Sequence, residues 1–267
     1  MVSYLEYPMI RSLLLLLPLA LSLRAQDPFE IQVYEYETVP KGMWSLETHT
    51  NFTFRGTKEP DGTIAPSNNQ FHLTYELTRG ITEHFELAGY LLLSRRPGTP
   101  GSGFEYAGAH IRPRYSIPES VGLPVKVSIS LEIGWPVKAY ETNSMTLELR
   151  PIVERTFGRY QFDFNPTFTK GLRGPIGPKD WEFEPSARVA YEATKKLDIS
   201  LEYYGATGRV FHPLTLNEQA HIFTPGADIK LREHVALNVG IGIAATPAGN
   251  QLVLKTRLSL EFGKKKS

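Results

Sequence analysis

Seven histidines, His49, His72, His84, His110, His212, His221 and His234, are the side chains best suited to acid–base or metal chemistry in this chain. None lies in an HExxH zinc motif, and no serine sits in a GxSxG elbow. Cysteine is absent, which removes thiolate nucleophiles, disulfides and the cysteine on which a bacterial lipoprotein anchor is built. His49 and His72 share a parity on neighbouring elements. A metal or catalytic pair is one reading of them; two polar residues facing a common interior is the reading adopted. The glycine-rich stretch 98–103 lies in a polar connection, not between a strand and a helix, so no phosphate loop is expected. The sequence predicts no catalytic residue, no metal and no cofactor, and a protein that is not an enzyme.

The remaining chemistry is charge, and its spacing is regular. Glu47, His49, His72, Glu76, Arg112, Glu132, Glu148, Arg150, Asp163, Arg188, Glu202, Lys255 and Arg257 occupy alternate positions of segments whose other positions are apolar. In 125–135, VKVSISLEIGW, every odd position is apolar, the run ending on Trp135, and the even ones are Lys126, Ser128, Ser130, Glu132 and Gly134. Period two marks a β-strand with one wet and one apolar face. Twelve such segments follow one another, near 44–55, 70–79, 85–95, 104–115, 125–135, 145–155, 159–170, 181–193, 197–206, 220–231, 234–245 and 251–262. The fourth is the least regular, although Arg112 and Arg114 share a parity.

The connections alternate in length. Those at 56–69, 95–103, 136–144, 171–180 and 207–219 are long and polar; those near 80–84, 116–123, 156–158, 194–196 and 232–233 are mostly tighter. Short turns at one end, longer loops at the other, an even strand count and strands of about ten residues are the signature of an outer-membrane barrel. A soluble sandwich also alternates, but aromatic residues here gather at strand ends. With the N-terminus periplasmic, Trp135 and Trp181 fall at the outer rim and Trp44, Phe85, Tyr160 and Phe262 at the inner one, as interfacial girdles. The fold expected is all-β: a closed, antiparallel, up-and-down transmembrane barrel over 43–263. The charged and histidine side chains at the alternate positions then line its lumen.

Residues 1–25 read as a signal peptide, with Arg11 before the apolar run 13–23 and Ala25 at the cleavage point. Met9 is a more natural start than Met1. Without this segment the chain loses Arg11, Arg24 and Glu6 and is formally neutral, which argues against nucleic acid as a partner. Residues 26–42 form a periplasmic segment, and 264–267 a short basic tail. The segment is read as either a loosely ordered leader or a plug folded into the lumen.

The stretch 27–42, DPFEIQVYEYETVPKG, followed by Trp44-Ser-Leu-Glu-Thr-His49, resembles uncharacterised outer-membrane proteins grouped with the phenol-degradation-pathway transporter family. The resemblance implies passage of small solutes, among them hydrophobic or aromatic compounds, across the bacterial outer membrane. Its partners would be outer-membrane lipids, the barrel-assembly machinery and a small solute. Carboxylates outnumber bases in mid-strand, which points to cation preference if the lumen conducts; mutual neutralisation in a filled interior is the other reading. A lipid-modifying enzyme and a structural or adhesive barrel stay open as alternatives.

Overall fold

Alternation gives each strand one face that must avoid water and one that must keep it, and closing the sheet on itself satisfies both without leaving an unpaired edge. The computed structural model describes residues 27–97, 103–174 and 180–265. The signal peptide, its start site, most of the stretch 98–103, part of the loop 171–180 and the end of the basic tail lie outside the described residues. Twelve long strands follow in order: β1 (Met43–Arg55), β2 (Gln70–Gly80), β3 (Phe85–Arg95), β4 (Glu105–Ser116), β5 (Lys126–Pro136), β6 (Met145–Phe157), β7 (Tyr160–Arg173), β8 (Glu182–Thr194), β9 (Leu197–Ala206), β10 (Ala220–Arg232), β11 (Val235–Ala244) and β12 (Leu252–Gly263). Each pairs antiparallel with its sequence neighbour, and β12 returns to β1 with Met43 opposite Gly263 and Thr53 opposite Val253. The barrel is closed.

The end that holds the start of β1 also holds the tight turns. Gly158 (φ 59°) and His234 (φ 64°) supply the left-handed residues that two-residue hairpins need. The connection between β4 and β5 is longer and contains a 3-10 turn, Glu119–Val121. At the far end, the loop between β9 and β10 carries a small hairpin in which Gly208 pairs with Pro213 and Arg209 with His212.

Outside the barrel, apolar strand residues such as Leu77 (44 %), Leu91 (43 %), Ile129 (44 %) and Leu201 (50 %) are exposed around the wall. A continuous apolar band of this kind is stable only against lipid. Inside, the wall is polar. Asn51, Gln70, His72, Thr74, Ser128 and Asn165 are all at most 1 % exposed.

Two features depart from simple alternation. Leu92 pairs with Gly108 and Leu93 with Tyr106, so Ala107 is an extra residue in β4. This bulge switches the parity: Ala107 at the bulge and Gly108 beside it are both buried, and from there His110, Arg112 and Arg114 face inward. That is why the fourth segment reads irregularly. In β3 both faces are apolar, and Ala88, Tyr90 and Leu92 pack inside the barrel with Ala107, Phe29 and Tyr140.

Residues 27–41 form no strand, yet they run through the interior. Phe29, Ile31, Val33, Tyr34 and Tyr36 are each at most 7 % exposed. A backbone inside a barrel must find partners for its amides and carbonyls. Here the wall's side chains supply them, as described next.

Candidate functional site

The interior wall and the segment threaded through it form one polar network. Asn165 on β7 brackets Tyr34: the Tyr34 N–H donates to Oδ1 at 2.7 Å, and Nδ2 donates to the Tyr34 carbonyl at 3.0 Å. The Tyr36 N–H donates to Glu154 (2.9 Å) and the Val39 N–H to Glu86 (2.6 Å). Asn51 donates to the Pro28 carbonyl at 2.9 Å, and Lys255 to that of Ile31 at 3.3 Å. Arg114 donates to the carbonyls of Glu35 (3.2 Å) and Glu37 (2.5 Å). Strands β1, β3, β4, β6, β7 and β12 thus all hold the segment through side chains.

Tyr34 sits at the centre. Its ring meets three guanidinium groups, Arg112 at 4.6 Å, Arg150 at 4.5 Å and Arg114 at 5.3 Å. Its hydroxyl donates to Glu30 and lies 3.0 Å from the Tyr90 hydroxyl. Cations over a desolvated ring face are attracted by roughly 0.5–2 kcal/mol each, and the arginines also gain carboxylate partners. Arg112 reaches Glu76 at 2.5 Å and Glu86 at 3.4 Å; Arg114 reaches Glu86 at 2.8 Å; Arg150 reaches Glu148 at 2.8 Å.

The other wall residues singled out in the sequence fall into separate groups. Glu47 meets Arg257 at 3.3 Å and accepts from Ser259 at 2.9 Å. Glu132 pairs with His110 at 2.8 Å. Arg188 joins Asp163 (2.9 Å), Asp228 (2.8 Å) and Glu35 of the threaded segment (3.3 Å). Lys255 pairs with Glu202, which also accepts from the Tyr204 hydroxyl. His49 and His72 have different partners: His49 lies between Glu47 and Glu76, whereas His72 contacts Gln70 at 2.9 Å and meets the edge of Phe29. Glu30, Tyr34, Glu86, His110, Arg114 and Asp228 belong to the same network, and sequence reasoning did not single them out as site residues. Parity marked Arg114; nothing local marked Tyr34.

Beside the segment, a small polar cleft remains against β8–β12, lined by Gln32, Glu35, Arg188, Asp228, Lys255 and Arg257 among others. Near the far mouth, Arg96 and the Tyr140 hydroxyl converge on Glu105, with Arg96 at 2.5 Å. Burial, with Glu105 as acceptor, pushes the Tyr140 phenol up to about 12.

The aromatic residues singled out for the girdles occupy strand ends. Trp44 lies opposite Phe262 and under Arg79 (4.8 Å), Phe85 opposite Tyr115, and Tyr160 beside Tyr191 (5.0 Å). At the far end Trp135 is 40 % exposed, and Lys170 sits 5.5 Å from the Trp181 ring.

Among solved structures, the COG4313 outer membrane channel from Pseudomonas putida F1 covers 87 % of this chain and 100 % of its own, with a TM-score of 0.56 at 12 % identity. The chain has the fold of a bacterial outer-membrane β-barrel. The NanC porin is similar over 82 % of this barrel and 99 % of its own chain (TM-score 0.52, 7 % identity). The KdgM porin, solved with disordered oligogalacturonate, covers 82 % and 99 % (TM-score 0.50, 8 % identity). No family model and no curated protein matches the barrel.

Proposed function

We propose that the chain is an outer-membrane channel for small solutes whose lumen is plugged by its own residues 27–41. The observation that carries this reading is how the segment is held. Its backbone is bound by side chains of six strands and by no β-ladder, so release breaks individual hydrogen bonds and leaves the barrel's own pairing intact. The fold shared with two porins and a channel supports the same reading.

The solute class follows from what the segment leaves behind. Arg112, Arg114 and Arg150 already bind the ring of Tyr34. A small aromatic solute would meet the same guanidinium faces once Tyr34 withdraws. For inorganic ions, the wall carboxylates Glu47, Glu76, Glu86, Glu132, Glu148, Glu154, Asp163, Glu202 and Asp228 outnumber the cations Arg112, Arg114, Arg150, Arg188, Lys255 and Arg257 that pair with them, which favours cations.

The lipid-hydrolase alternative lacks a matching site among the described residues. Ser116 meets His84 at 3.3 Å, but Ser116 is 2 % exposed, faces the lumen and also contacts Thr38.

The test is ionic current through a chain lacking residues 27–41, with benzoate or arabinose added to the bath. Brief interruptions by benzoate alone are expected. Equal effects of both solutes would refute aromatic selectivity, and a barrel that admits neither ions nor arabinose would refute the channel.

A further inference from the structure

We propose that Glu30, His49 and Glu76 form a binding site for one divalent transition-metal ion such as zinc, which ties the threaded segment to the barrel wall. One ligand atom from each of the three lies within 4.8 Å of the others, and all three residues are buried. Glu30 belongs to the segment, His49 to β1 and Glu76 to β2.

His49 Nε2 and Glu76 Oε2 lack any hydrogen-bond partner, on side chains only 1 % and 3 % exposed. They stand 3.6 Å apart, beyond a hydrogen bond but close to the roughly 3–3.5 Å between two ligands sharing an ion at about 2.1 Å. The companion oxygens are occupied by donors that fix the carboxylates. Glu76 Oε1 accepts from Arg112 (2.5 Å) and Thr78 (2.8 Å), and Glu30 Oε1 accepts from Tyr34. Metal sites orient their ligands through outer contacts of this kind.

Glu47 Oε2 lies 3.7 Å from His49 Nε2 but is engaged by Arg257, so it stands outside the group of three. One imidazole with carboxylates suits zinc or manganese rather than a soft ion. Arg112 is the nearest opposing charge, and Glu76 and Glu86 both pair with it. The competing arrangement is an imidazolium of His49 between Glu47 and Glu76, which needs no ion.

The site rests on the segment's position inside the barrel and not on conduction, so binding is read directly. The refolded full chain is titrated with Co²⁺ and followed by visible absorption, with Zn²⁺ as competitor. One Co²⁺ per chain is expected, displaced by Zn²⁺. His49→Ala and Glu30→Gln should each weaken binding by about 100-fold or more, since loss of an outer contact alone costs roughly 10–100-fold. His234→Ala, at an exposed turn, should bind as the unaltered chain does. Should His49→Ala fail to fold, Glu30→Gln decides, because residue 30 lies outside every strand. Absence of Co²⁺ binding, or binding unchanged in Glu30→Gln, overturns the site and leaves the imidazolium arrangement; the conductance test above is untouched by either result.

Discussion

Tyr34→Ala should loosen the threaded segment without harming the barrel. Tyr34 is 2 % exposed and contacts three guanidinium groups, while its hydroxyl engages Glu30 and Tyr90. Truncating a buried aromatic side chain costs about 3–5 kcal/mol, and the ring sits on the segment and not in any strand. The loss therefore falls on seating. At 1.4 kcal/mol per tenfold, the ratio of seated to unseated segment should drop by roughly two to three orders of magnitude. The native chain has no cysteine, so a single Ile31→Cys change gives a clean reporter at a position 7 % exposed. The assay is the rate at which a membrane-impermeant maleimide labels that thiol in vesicles. Where opening is fast relative to labelling, the rate follows the unseated fraction. A rate in Tyr34→Ala equal to that of the parent would refute the reasoning.

Three further outcomes follow from particular contacts. Ile129→Arg, on the lipid face near the middle of β5, should cost roughly 2–4 kcal/mol of folding into vesicles, whereas Val121→Arg in the exposed turn should cost little; equal yields would contradict the lipid assignment. Arg188→Ala leaves Asp163 and Asp228 without their common guanidinium, and breaking such a buried arrangement should lower stability by about 3–5 kcal/mol, seen as a lower denaturant midpoint in micelles. Gly80→Ala would drive a methyl to 2.2 Å from the Pro40 carbonyl oxygen and 2.3 Å from that of Val39, where the segment passes the barrel rim. It should raise maleimide labelling at residue 31 while leaving the denaturant midpoint of the barrel unchanged.

Strand positions were legible because burial on one face imposes a period of two, which most of the segments keep. The least regular, β4, carries the bulge at Ala107, a one-residue insertion that no local composition marks. The inward set of charges was legible for the same reason, but its pairing was not. Asp163 and Arg188 face each other across β7 and β8, yet Asp228 reaches Arg188 from β10, a contact fixed by barrel curvature and side-chain length. Likewise His49 and His72 shared a parity, and the structure gave each its own partners because Asn51 lies opposite His72 and Thr74 opposite His49. The threaded segment was the hardest to read. Ile31 and Val33 alternate as a strand would, but the segment's backbone bonds go to residues far along the chain: the Ile31 carbonyl to Lys255, Tyr34 to Asn165 and Tyr36 to Glu154.

The most direct test of the channel reading is single-channel conductance of the full chain against the chain lacking residues 27–41, in planar bilayers at one salt concentration. The full chain should show little or no steady current, and the shortened chain a stable open conductance with cation preference. Indistinguishable conductance in the two would contradict the account.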